Sequence, residues 1–451
     1  MRVFYDVNRK ENSMQLIIKN GIMADPKSGI YESRNILIRD GLIVDNDLGE
    51  HEVEAFEKLN TSGGKAEYEV IDATGLHVMP GLIDMHVHFR DPGQTEKEDI
   101  ISGSKAAAAG GYTCVCPMPN TNPPIDNAQM IKYEYEKAQA AGFTNVLPVG
   151  AITRGQEGTE IADIYGMKNA GAIAISEDGK SVMDVKLCRE AFKRAAKNNM
   201  LIMDHCEDKN LVDGGVMNAG KKAEELGLKG ISNAVEDIIA ARDIMLAGET
   251  GAKLHLCHCS TEASVELVRM AKKLGYKVTA EVCPHHFALT EDEIPGDDAM
   301  YKMNPPLRSR QDVMALVKGL ADGTMDVIST DHAPHTLEEK SRGFNNSPFG
   351  IVGLETSFAV SFTTLVKTRR MSLLQLLEKM SLNPSKILGL DRGNLENGSV
   401  ADIFIADLNH DYMINFNNFY SKGKNTPFAG RRVFGEVKYT LLAGKQVFPF
   451  A

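Results

Sequence analysis

Leu82-Ile83-Asp84-Met85-His86-Val87-His88-Phe89-Arg90 is an apolar run that ends in a polar cluster. Alternate side chains of an extended chain point the same way, so His86, His88 and Arg90 share one face, and the two imidazoles can share one cation. The same design returns along the chain. Further apolar, strand-like runs lie at 112–118, 146–152, 172–176, 201–205, 253–258, 277–283 and 326–330, separated by sequence with helical apolar spacing. Residues 263–274 form one such helix, ending before Gly275, a suitable C′ residue. Eight βα units predict an α/β fold, a (β/α)8 TIM-like barrel over residues 79–395, with chemistry at the C-terminal ends of its strands.

Outside the barrel the style changes. Residues 15–19, 35–39 and 67–71 read as short strands with turns, with a polar, glycine-bearing insertion at 59–65, and 399–407 and 437–447 return to that style. Chain ends commonly lie close in space, so a small β-sandwich domain is expected from 14–78 plus 396–451, preceded by an N-terminal extension, 1–13. The glycine-bearing segment 341–353 after the last strand is expected to act as a lid, and 421–428 to join the β domain to the barrel.

Metal-capable side chains collect at the strand ends: Asp178 in Ser176-Glu177-Asp178-Gly179, His205 in Asp204-His205-Cys206-Glu207, His258 in Leu256-Cys257-His258-Cys259, and Asp331 in Thr330-Asp331-His332-Ala333-Pro334-His335. They supply the nitrogen and oxygen donors that zinc prefers, with coordination left open for water. Singly, each histidine reads equally well as a hydrogen-bonded core residue. Their coincidence at the ends of different strands points to a site. His51, His77 and His410 fall in the β segments and read as ordinary; His255 is expected to face away from His258, and His285 and His286 to line the rim.

Composition narrows the classes. The 451 residues are 43% hydrophobic and 25% charged, ordinary for a globular protein, and long enough for a barrel with an appended module. A formal net charge of −11 repels phosphate backbones and anionic lipid, which argues against nucleic acid and membrane partners and leaves a small-molecule substrate. The seven cysteines are odd in number and lie mostly in apolar runs, as reduced core thiols do; the Cys-x-Cys pairs 114/116 and 257/259 read as strand packing rather than metal sites. The start, Met1 to Lys10, lacks a signal-peptide core, so a cytoplasmic location is expected.

The run Pro80-Gly81-Leu82-Ile83-Asp84-Met85-His86-Val87-His88-Phe89-Arg90-Asp91-Pro92-Gly93 resembles the first-strand motif of the amidohydrolase superfamily, in the form seen in dihydroorotases of the bacterial class I type. Pro119-Asn120-Thr121, Pro284-His285-His286, Lys302-Met303-Asn304-Pro305-Pro306-Leu307-Arg308, Asp331-His332-Ala333-Pro334-His335 and Pro348-Phe349-Gly350 are similar to further words of that family, in the same order. The resemblance implies a zinc-dependent cyclic amide hydrolase, reversibly cyclising N-carbamoyl-L-aspartate to (S)-dihydroorotate in pyrimidine biosynthesis. It implies two Zn2+ per subunit: His86 and His88 on one, His205 and His258 on the other, Asp178 bridging, and Asp331 both ligand and general acid/base. It also implies that His88, Arg90, Asn120, Asn304, His335, Phe349 and Gly350 meet the substrate.

Many relatives bridge their metals with a carboxylated lysine at the end of the fourth strand. Ser-Glu-Asp-Gly stands there in this chain, so no carboxylated lysine is expected, and spacing to His205 favours Asp178 over Glu177. Cys283 stands where relatives often carry threonine. An allantoinase would share the metals but bind an uncharged ring, against which Arg90 and Asn120 argue; a non-catalytic scaffold would not need the ligand set. A homodimer, with association to aspartate transcarbamoylase, is the assembly the family suggests.

Overall fold

The computed structural model describes residues 15–61 and 68–450. The expected extension 1–13 and most of the insertion at 59–65 lie outside the described residues.

Each of the eight apolar runs contains strand: Leu82–Val87, Tyr112–Pro117, Ala174–Ser176, Leu201–Asp204, Lys253–Leu256, Val278–Val282 and Val327–Ile328, with the third run split into Asn145–Val146 and Val149–Ala151. Pro148, which has no N–H to give a ladder, sits at that break. All pairings among these strands are parallel, in the chain order of the runs. The last strand end also meets the first: His88 N–H donates to the His332 carbonyl at 2.8 Å, and Val87 and His332 form a parallel bridge.

Continuous apolar strands are what a parallel sheet covered on both faces requires. Every residue of Leu82–Val87 and Tyr112–Pro117 is buried. Ile83, Met85, Cys114, Cys116, Leu201, Met203 and Val327 form one cluster, while Leu82, Val115, Ile202 and Leu254, of opposite parity, join the cluster that includes the helices. Cys114, Cys116 and Cys257 sit in the first cluster, and all seven cysteines are buried and free. The helix expected at 263–274 is Glu262–Lys273, capped by Thr261, whose side chain accepts from Ser264 N; Gly275 follows with φ +74°.

Strands from both ends of the chain share a separate sheet, ordered Lys445–Phe448, Arg432–Leu442, Ile403–Met413, His77–Pro80, Gln15–Asp25, Ile30–Arg39, Leu42–Asp45, with Tyr68–Asp72 also paired to Gln15–Asp25. The expected sandwich is therefore one continuous sheet. It bends back on itself, because Ile43 N–H donates to the Ser399 carbonyl and Ala401 N–H to the Gly41 carbonyl. Residues 399–401, expected as strand, serve instead as that seam, and the strand begins at Ile403. The run 437–447 is a hairpin turned at Ala443 and Gly444, whose φ of +46° and +77° suit a tight primed turn. Glu50–Thr61 is a helix that strand-and-turn patterning missed. Its Val53 packs on Ile17, Leu37 and Leu48, covering the sheet face opposite Leu16, Ile18, Ile36 and Ile38.

Candidate metal centre and active site

His86 lies within its strand and His88 just beyond it, and His205, His258 and Asp331 follow the ends of theirs, so parallel register brings residues far apart in sequence to one rim. The Asp178 carboxylate is the hub. Its Oδ1 lies 3.2 Å from His86 Nε2, 3.5 Å from His205 Nδ1 and 3.6 Å from His258 Nε2, and its Oδ2 lies 3.5 Å from His88 Nε2. Asp331 Oδ1 is 3.1 Å from His88 Nε2 and 3.6 Å from His86 Nε2. Glu177 is turned away: its carboxylate accepts from the backbone N–H groups of Ile152 and Thr153 and from the Thr153 hydroxyl. Of the two adjacent acids, Asp178 is thus the one that faces the imidazoles.

Arg90, His258 and Asp331 have φ of +58°, +33° and +49°. Left-handed backbone at such residues costs on the order of 1 kcal/mol or more each and is retained where the surroundings hold it. Here it re-aims three side chains just past their strands.

Donor chemistry shows what this pocket accepts. His86 Nε2, Asp178 Oδ1 and His205 Nε2 are buried without a hydrogen-bond partner. Leaving one such group unsatisfied costs about 1–3 kcal/mol, a cost that a coordinated cation removes. His205 Nδ1 lies 2.8 Å from His258 Nε2, so the two rings turn nitrogen donors toward one point. Ligand atoms of His86, Asp178 and His258, and of His86, His88 and Asp331, lie within 4.8 Å of one another. Nitrogen and oxygen donors so grouped fit a zinc-like divalent ion.

Neighbouring groups set the ring orientations. Glu281, fully buried, accepts from His86 Nδ1 at 2.9 Å, from His255 Nε2 at 3.0 Å and from the His258 N–H at 3.2 Å. With Nδ1 engaged by Glu281, His86 directs its Nε2 at the centre. His88 Nδ1 lies 2.9 Å from Asn120 Oδ1, which leaves His88 Nε2 free for the centre, and Asn120 Nδ2 donates to Asp178 Oδ2 at 3.2 Å. Burial pushes the Asp178 and Asp331 carboxyls up, but the surrounding imidazoles outweigh it and hold both well below the usual carboxylate range. Asp331 is therefore ionised at neutral pH and able to accept a proton.

Arg90 is buried beside this centre, its Nε 3.4 Å from the Pro334 carbonyl. Among the described residues, no carboxylate oxygen lies within 4 Å of its guanidinium. The carboxylates of Asp331 and Asp178 attract it only from beyond contact distance, which leaves guanidinium donors open to an anion. His335 is held against Arg90 and donates Nε2–H to the Phe349 carbonyl at 2.8 Å; burial and the Arg90 charge push it down to about 3, so it stays neutral. Asn304 donates to Glu207, whose Oε2 is 3.6 Å from His205 Nε2. Gly350 donates to the Lys302 carbonyl and accepts from Lys340 and Asn425.

Sequence reasoning passed over Glu281, Glu207, Asn425 and Lys340. Glu281 carried a signal, since a carboxylate inside an apolar strand needs a partner. Asn425 and Lys340 carried none.

The family described as "Dihydro-orotase-like" matches residues 75–264. A dihydroorotase of Ruminiclostridium cellulolyticum is 48% identical over 434 residues, covering 96% of this chain and 98% of the relative. The chain belongs to the dihydroorotase family. A second family member, the dihydroorotase of Acetivibrio thermocellus, is 46% identical over 96% of this chain and 98% of its own length. Among solved structures, the L-hydantoinase (dihydropyrimidinase) of Arthrobacter aurescens superposes with a TM-score of 0.82 at 27% identity, covering 96% of this chain and 95% of that one. The family's fold is thus shared with hydantoinase-type amidohydrolases. Among the described residues, no helix is long and apolar enough to cross a membrane.

Proposed function

We propose that this chain is a zinc-dependent dihydroorotase that interconverts N-carbamoyl-L-aspartate and (S)-dihydroorotate in pyrimidine biosynthesis. The carrying observation is a buried Arg90 without a carboxylate partner, set beside a hub of ionised carboxylates and oriented imidazoles, in a chain nearly half identical to dihydroorotases over almost its whole length. The pocket thus joins a cation-binding set to a receptor for a negatively charged substrate.

His86 and His88 would hold one Zn2+, His205 and His258 a second, with Asp178 between them and Asp331 at the edge; no carboxylated lysine is required. When bound, the pair supplies Lewis acidity that activates water and polarises the ring amide carbonyl. Asp331, ionised and 3.1 Å from His88, takes the proton of the attacking water and delivers it to the departing ring nitrogen, since an amide nitrogen leaves poorly unprotonated. In the cyclising direction the same carboxylate removes the proton from the carbamoyl nitrogen as it attacks the side-chain carboxyl carbon, and gives it to the departing hydroxide, which leaves as water. Arg90 meets the substrate carboxylate with its planar fork, and Asn120, Asn304, His335 and the Phe349-Gly350 backbone frame the ring.

The reading includes a closed (β/α)8 barrel over 79–395, for which the Val87–His332 bridge speaks, with 14–78 plus 396–451 as the β domain. His77–Pro80 carries that domain's sheet slightly past the 78/79 boundary. A cytoplasmic location, a homodimer and an association with aspartate transcarbamoylase rest on the family resemblance alone. The test is to incubate zinc-replete protein with dihydroorotate, allantoin and hydantoin side by side. Dihydroorotate should turn over; turnover of allantoin alone would overturn the reading.

A further inference from the structure

Past the end of strand Val278–Val282 lies a second group of soft and borderline donors that the reaction above does not use. Cys283, His285 and His286 are all buried, and one ligand atom of each lies within 4.8 Å of the others. The group shares no residue with the His86-centred sets. The two rings are 4.2 Å apart between centroids.

Ring tautomer makes the group more than a packing accident. His286 Nε2 lies 2.8 Å from the Pro305 carbonyl, an acceptor only, so Nε2 carries the proton and Nδ1 keeps its lone pair. That Nδ1 is buried without a hydrogen-bond partner, and so is His285 Nε2. Burial pushes both rings down, His285 to about 4, so both are neutral at physiological pH and free to coordinate. A carbonyl that fixes the far nitrogen of a histidine is the usual partner of a metal-bound ring. The thiol is held protonated by burial and by the nearby carboxylates, Asp331 first among them. A divalent ion would displace that proton to solvent as the metal–sulfur bond forms.

We propose that Cys283, His285 and His286 form an accessory cation site with one thiolate and two imidazole ligands, suited to zinc or its cobalt surrogate, beside the proposed active centre. Sulfur with two nitrogens selects a borderline-soft ion over magnesium or calcium. Three protein ligands leave a fourth position for water.

The experiment is to titrate metal-free, full-length protein with Co2+ and follow the near-ultraviolet thiolate-to-cobalt charge-transfer band together with tightly bound cobalt per chain. The wild type should develop the band. Cys283→Ser should lose the band and one bound cobalt while still turning over dihydroorotate, and Cys257→Ser, which removes the thiol near His86 and Glu281, should retain it. His285→Gln and His286→Gln leave the thiol in place and should shift the band and weaken cobalt binding at least about tenfold. No band in the saturated wild type, a band that survives in Cys283→Ser, or unchanged band and affinity in both histidine variants would overturn the proposal. The dihydroorotase reading is scored separately by turnover, because the proposed centre contains no sulfur ligand and is silent in this band.

Discussion

Glu281 shows how one buried carboxylate governs several imidazoles. It spans His86 and His255 with its two oxygens and takes the His258 N–H as well, so one side chain orients the ring of one proposed ligand and the backbone of another. Glu281→Gln keeps the shape but offers an amide where an ionised acceptor stood. Zinc affinity, measured by competition with a chromogenic chelator, should fall roughly 10- to 100-fold. An unchanged affinity would confine Glu281 to packing. Asp331 differs because it is assigned proton transfer as well as coordination. Asp331→Asn should keep most of its zinc by elemental analysis yet lose about 10²- to 10⁴-fold in kcat, the usual worth of a general acid/base. Wild-type-like turnover in that variant would remove Asp331 from proton transfer.

The segment expected to act as a lid is tied down by neighbours on both sides. Short helix Leu337–Lys340 leads into it and Gly343–Asn346 lies within it, and the buried Lys340 Nζ donates to the carbonyls of Lys302, Pro348 and Gly350, each at 3.0 Å. Lys302 leads into Asn304, and Pro348 and Gly350 flank Phe349, so one side chain gathers both proposed substrate-facing loops. Asn425, from the segment expected to join the two domains, adds bonds to the carbonyls of Ala333 and Gly350 and accepts the His335 N–H. Lys340→Met removes the three donations while keeping much of the stem's volume. Its KM for dihydroorotate should rise about tenfold with a smaller change in kcat, because misplaced loops cost positioning more than chemistry. Steady-state kinetics with both parameters unchanged would show that these loops do not frame the substrate.

Across the whole protein, the parallel strands and the terminal sheet are coupled through a few polar ties. Ser381 Oγ donates to the Gly81 carbonyl, and Arg392 pairs with Asp402 just before strand Ile403–Met413. Glu355 accepts from the Tyr420 and Ser421 N–H groups at 2.9 and 3.0 Å, binding the segment that precedes the final hairpin. Burial raises this carboxyl to about 7 despite those two donors. The folded state therefore holds a proton that the unfolded chain has already released between about pH 4.5 and 7. This contribution to stability is fully present below the unfolded pKa and is lost as pH rises through about 7, by no more than about 3 kcal/mol. Thermal melts of wild type and Glu355→Gln from pH 5 to 8 should show the variant losing less stability over that interval. Parallel curves would assign the pH dependence to other groups.

Local pattern sufficed for the repeating plan. Apolar runs bounded by helical spacing located every strand of the parallel set, because a strand buried on both faces must be apolar along its length, and polar residues at the run ends marked the site for the same reason. The terminal β segments were legible as strands, but their closure into one bent sheet depended on Gly41–Ile43 meeting Ser399–Ala401, a pairing that no short window contains. Glu50–Thr61 escaped because its apolar positions are few and acquire meaning only against Ile17 and Leu37. The ligand-bearing positions were readable one by one. Their convergence was not: spacing to His205 favoured Asp178 over Glu177, but the cause is tertiary, since the neighbouring strand presents the backbone of Ile152 and Thr153 to Glu177. Likewise His86 acquires its ring orientation from Glu281, 195 residues away. Side-chain chemistry and periodicity are properties of a stretch of chain. Orientation, protonation and the surroundings of Arg90 are properties of register between strands, and those exist only once the sheet has formed.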